Sequence, residues 1–136
     1  MFNLRDRIPG AAALTERWLG LSAKRTLPRW RRDNFRATAP SLGLITREQA
    51  LASDKAVVLF VDTFNGAFET ENASDAVRVL QASGYAVHVA TGANGSNLCC
   101  GRTLHAAGMA AEAKARAADL LDVMLPLVDA GLNVVG

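Results

Sequence analysis

From Ala56 onward the apolar positions fall into two alternating rhythms. Val57-Val-Leu-Phe-Val61 is an unbroken apolar run, the mark of a strand covered on both faces. Ala73, Ala76, Val77 and Leu80 then keep the i, i+3, i+4, i+7 spacing of one helical stripe, with Asn72 as the expected N-cap and Gly84 as the stop. Ala86-Val-His-Val-Ala90 predicts a second strand. A glycine-rich loop, Thr91-Gly-Ala-Asn-Gly-Ser-Asn97, leads through Leu98-Cys-Cys-Gly101 to a short helical piece that breaks near Gly108. A long helix is expected from about Ala110 to Ala130, carrying Ala117, Leu120, Leu121, Met124 and Val128 on one side. Pro126 should bend it or remove one backbone hydrogen bond. Gly131 ends it, and Leu132-Asn-Val-Val-Gly136 begins a third strand.

Strand–helix–strand–helix–strand with short links implies right-handed crossovers and a parallel sheet. The fold class expected is therefore α/β: a small three-layer unit with a partial parallel sheet of about three strands, preceded by short N-terminal helices. Parallel strands need cover on both faces and neighbours at their edges. Residues 56–136 accordingly read as part of a domain, a fragment of a longer protein, with an open sheet edge suited to homo-oligomer contacts.

Before Ala56 the rhythm is broken. Pro9-Gly10 is a turn signal, after which Leu14, Trp18 and Leu21 share a helical face. Pro28 suits the first position of another helix, with Leu27, Trp30 and Phe35 as its apolar anchors. Pro40-Ser-Leu-Gly43 interrupts again, and Thr46 with Gln49 forms a capping-box pair.

Charge sharpens this division. Residues 1–55 hold eleven Lys/Arg against five Asp/Glu, leaving +6, whereas residues 56–136 hold four against eight, leaving −4. The expected organisation is a basic helical lead-in over 1–55 and the α/β unit over 56–136. The cluster Arg29-Trp-Arg-Arg32 with Lys24 and Arg25 is of a kind that meets nucleic acid or anionic lipid. A solvated or interdomain face is the plainer account, and no nucleic-acid partner is expected. No apolar run reaches the roughly 18 residues of a membrane helix, and Met1-Phe-Asn-Leu-Arg-Asp-Arg7 lacks the order of a secretory signal. The expected location is the cytoplasm, with peripheral attachment to the inner face of the membrane as an alternative.

The pointed chemistry is the vicinal pair Cys99–Cys100. Adjacent cysteines bridge only through a strained ring and staple nothing distant. In an open parallel sheet ligands gather beyond the carboxyl ends of the strands. Asp62-Thr-Phe-Asn-Gly66 and the Gly92–Gly101 loop converge there. A following helix would stabilise a thiolate, and neighbouring thiolates suit two adjacent metals better than one. The alternative is that both cysteines are small buried hydrophobes. Arg102 sits where it lowers a thiol pKa or simply covers a surface. His105 faces the thiols as base or ligand, or else solvent; His88 fits a packed core histidine. Asp62 resembles a phosphorylated strand-end aspartate, but Phe64 holds the place where an aspartyl phosphatase has its second aspartate. Gly92-Ala-Asn-Gly95 lacks the order of a dinucleotide fingerprint and a phosphate-loop lysine.

Leu98-Cys-Cys-Gly-Arg-Thr-Leu-His-Ala-Ala-Gly-Met109, with the alanine-rich helix and Val134-Val-Gly136, resembles the cysteine-rich CCG domain. That domain occurs in heterodisulfide-reductase-like iron–sulfur proteins and in flavin/iron–sulfur D-lactate and glycolate dehydrogenases. Val58-Leu-Phe-Val-Asp-Thr-Phe64, Phe68 and the Leu27-Pro28 to Phe35 stretch resemble the lead-in of the flavoprotein branch. The resemblance implies electron transfer. Cys99 and Cys100 would be cluster or metal ligands and Gly101 would allow close backbone approach. It further implies an iron–sulfur cluster held in the intact parent rather than by this chain alone, FAD in another region, and the rest of the oxidoreductase or a flavoprotein subunit as partner. The chain alone is expected to be inactive. Asp62 and Thr63 stand where the family pattern has a cysteine after the first strand. The alternative function is a non-enzymatic α/β module that docks on a catalytic partner.

Overall fold

The computed structural model describes residues 4–136, which fall into two units, 4–32 and 33–136. The first three residues of the stretch read for a leader lie outside the described residues. In the larger unit a three-stranded parallel sheet has the order β2-β1-β3, with β1 Ala56–Leu59, β2 Ala86–Val89 and β3 Asn133–Val135. Val58 is level with His88 on one side and Val134 on the other. The α/β class and the parallel sheet agree with the reading of the sequence.

β1 is apolar throughout because both its faces are covered. Val57 and Leu59 join Phe35, Ala73, Val77 and Val87 in one core, whereas Val58 joins Ala90, Leu98, Met124 and Leu127 in another. Alternate residues of a strand point to opposite faces, so one run serves two cores. Helices α2 (Phe35–Thr38) and α5 (Thr70–Ala82) supply the first layer and α7 (Ala110–Asp129) the second.

Several local expectations hold. Thr46 and Gln49 form the full capping box of α3 (Arg47–Leu51). The short helix α6 (Arg102–Ala106) breaks at Gly108, whose φ is 79°. α7 runs through Pro126, which leaves the Asp122 carbonyl without its intrahelical donor.

Others are corrected. α5 starts at Thr70, so Asn72 lies inside it and its amide donates instead to Asn65 Oδ1 and Glu69 Oε2, each at 3.1 Å. A further helix, α4 (Thr63–Ala67), fills the stretch after β1, capped by Asp62. No helix starts at Pro28; the next begins at Phe35, capped by Asn34. By contacts the chain divides at 32/33, and Phe35 and Ala50 are buried in the larger unit.

The sheet edges differ. Ile45 donates its N–H to Val87 O at 3.0 Å and so occupies the outer edge of β2. The outer edge of β3 has no backbone partner among the described residues, and Val134 and Val135 are exposed. Leu121, Leu125 and Val128 on α7 are exposed as well.

In residues 4–32, α1 (Ala11–Leu19) has no buried residue; of Leu14, Trp18 and Leu21, expected to share one helical face, Leu14 and Trp18 are exposed and Leu21 lies beyond the helix, half-buried. The centre of this unit is Arg5, 4% exposed. Its guanidinium donates to Thr15 Oγ1, Asp6 Oδ1 and the carbonyls of Leu21, Ser22 and Arg25. All five of its N–H groups are thereby used.

Candidate functional site

The cysteine pair is held between two anchors. On one side Leu98, 4% exposed, is inserted in the core with Val58, Met124 and Leu127. On the other, Gly101 is buried at φ 79°, and a methyl group added to it would overlap the Ala113 carbonyl of α7. Only glycine combines that backbone conformation with that contact. The close approach for which Gly101 is suited is therefore to the neighbouring helix. Between the anchors, Cys99 is half-buried and Cys100 exposed, both as free thiols. The Gly101 N–H donates to Cys99 Sγ at 3.5 Å.

The pair borders a cleft of about 290 Å³ with Asp62, Thr63 and Phe64 from the start of α4 and Arg102, Thr103 and Ala106 from α6. The order β2-β1-β3 reverses direction at β1: the chain leaves β1 for one neighbour and later returns to pair on its other side. Crevices at such a reversal, beyond the carboxyl ends of the strands, are where α/β sheets hold ligands. The convergence of the Asp62 segment and the cysteine loop, expected from topology, is present. Cys99 also lines a second cleft, of about 310 Å³, against Asp119 and Asp122 of α7.

Asp62 is committed to structure. Its Oδ1 accepts from Asn65 N at 2.7 Å and from Asn65 Nδ2 at 2.9 Å, which caps α4. Arg102 is exposed and lines the cleft. His105 is exposed on α6 and is absent from the cleft wall. His88 lies elsewhere, on the outer strand β2, half-buried with Nδ1 3.1 Å from Ile45 O. Thr103 and Ala106 complete the wall; no local sequence signal marks them.

The donor set is incomplete for an iron–sulfur cluster. Such clusters take four protein ligands, usually thiolates, and two are present. Among the described residues no group of three or more His, Cys, Asp or Glu side chains is gathered to hold a metal.

Fold and site together define a small, doubly covered parallel α/β unit that displays a vicinal thiol pair at its strand tips. Among known proteins no family model, no curated sequence and no solved structure matches the chain. No helix among the described residues is long and apolar enough to cross a membrane.

Proposed function

We propose that this chain is the cysteine-pair portion of an iron–sulfur/flavin oxidoreductase of the D-lactate or glycolate dehydrogenase type, contributing to electron transfer. Cys99 and Cys100 are two of the thiolate ligands for a cluster or metal, and other polypeptide supplies the remainder. FAD belongs to the parent's other region and the chain alone is not catalytic. The observation that carries this reading is the presentation of both thiols: Leu98 and Gly101 hold the pair at the rim of the strand-tip cleft rather than in an apolar interior. Two buried hydrophobes would need neither an exposed Cys100 nor a glycine locked against Ala113.

The chain's own residues do three things in this account. Gly101 fixes the path of the loop, its N–H polarises Cys99 Sγ, and Arg102 places a positive charge beside the pair. Cadmium titration under reducing, anaerobic conditions tests it. Thiolate-to-metal charge-transfer absorption is expected with the native chain, reduced in Cys99→Ser and in Cys100→Ser and lost in the double variant. Absorption indifferent to both substitutions refutes the ligand role. Iron and sulfide added to the chain alone should leave it without cluster absorption.

The second reading is a module that docks on a catalytic partner. It is favoured by the unpaired outer edge of β3, with Val134 and Val135 exposed there. Under it, the chain self-associates or binds a partner protein with the cysteines substituted as well as without.

A further inference from the structure

A separate depression opens at the carboxyl end of β2, where α2 and the Thr91–Leu98 loop meet, and Cys99 and Cys100 do not line it. It holds about 200 Å³. For scale, an apolar cavity of about 150 Å³ accepts benzene. Its walls are apolar, formed by Phe35, Leu44, Val61, Val89 and Leu98 among others. Four polar side chains interrupt them: Arg36, His88, Thr91 and Asn97.

Arg36 is the informative member. The Asn34 cap fixes it in the first turn of α2, and its Nη2 comes within 3.7 Å of where a methyl group on Gly95 would stand. The guanidinium thus lies against the loop that forms the opposite wall. Among the described residues it makes no hydrogen bond or ion pair, and the Thr91 hydroxyl and Asn97 amide make no side-chain hydrogen bond either. The His88 ring, by contrast, is held through Nδ1 at the Ile45 carbonyl. An apolar hollow rimmed by a few exposed polar groups that no neighbouring side chain engages among the described residues, one of them a cation, is the usual form of a small-ligand site.

We infer that this depression binds a compact monocarboxylate, with a ring or branched apolar body against the walls and the carboxylate on Arg36. The planar guanidinium fork matches a carboxylate with two parallel hydrogen bonds. One cation beside apolar walls suits a monoanion with an apolar body better than a phosphate. Thr91 and Asn97 supply further donors. The inference stands independently of the metal reading, since it uses neither cysteine.

Amide correlation spectra of the full chain, titrated with sodium benzoate and in parallel with benzyl alcohol, provide the test. Benzoate should give saturable shifts at Arg36, Leu44, Val89, Thr91 and Leu98. Arg36→Gln, an exposed substitution that leaves the rest of the spectrum in place, should weaken binding about fivefold, the scale of an exposed charge-assisted pair. Benzyl alcohol should bind correspondingly more weakly. The inference is overturned if benzoate produces no saturable shift, or if its shifts fall elsewhere. It is also overturned if R36Q and the neutral alcohol bind as well as the parent pair, which would leave an apolar hollow without carboxylate recognition.

Discussion

The two units are held together by opposite means. In residues 33–136 the buried side chains are mainly aliphatic, and Val58, Val77, Val87 and Leu127 are fully enclosed. In residues 4–32 the buried side chain is a charged one, Arg5, while Leu4, Ile8, Leu14, Trp18 and Leu19 are exposed. The charge follows the same division: eight Lys/Arg against two Asp/Glu up to Arg32 leave +6, and seven against eleven beyond it leave −4. Apolar burial is non-directional and tolerates a range of side chains, whereas a guanidinium hub depends on every acceptor standing in place. The larger unit should therefore respond to volume and the smaller to donor geometry.

The strongest way to break that contrast is in the larger core. Leu127→Ala should cost about 2–5 kcal/mol, the range for a buried leucine whose site collapses incompletely, and should be read as a lowered midpoint in denaturant. Arg5→Ala comes next. Each hydrogen bond from a charged group is worth about 1.5–3 kcal/mol, so amide protection across residues 4–32 should vanish while the midpoint of the larger unit stays in place. Arg5→Lys should not restore it, since an ammonium offers three donors in place of a planar five. Gly101→Ala follows, with about 1–2 kcal/mol for the left-handed backbone alone and more for the overlap with Ala113. Its distinguishing sign is a changed rate of thiol modification at Cys99. Thr46→Ala, which removes the capping box of α3, should cost about 1 kcal/mol.

The larger unit was the more legible in sequence for the same reason. Burial on both faces writes β1 as an unbroken run, and the stripe of α5 follows from covering one face; the stripe expected on α7 is corrected, since Leu120 and Met124 pack in the core with Leu127 while Leu121 and Val128 are exposed. What escaped depended on contacts distant along the chain. The Phe35 side chain belongs to the sheet's core, yet it lies in a basic stretch where charge dominates the pattern. Asn72 is a good cap by type, but α5 begins two residues earlier, and the exposed Asn72 amide donates to Asn65 and Glu69 instead. Asp62 could be placed at a strand tip by topology; that its carboxylate caps a five-residue helix could not. Of the site, the meeting of the Asp62 segment with the cysteine loop was readable from strand order. The role of Gly101 against Ala113 was not, because nothing local marks where α7 packs. The hollow beside Arg36 was invisible for the same cause.

The most direct measurement is a count of reactive thiols in the native chain, using a water-soluble aromatic disulfide, before and after unfolding. Exposure at the strand tips predicts that both react without denaturant, Cys100 first and Cys99 more slowly behind its Gly101 N–H contact. Thiols that stay silent until the chain unfolds would contradict the account.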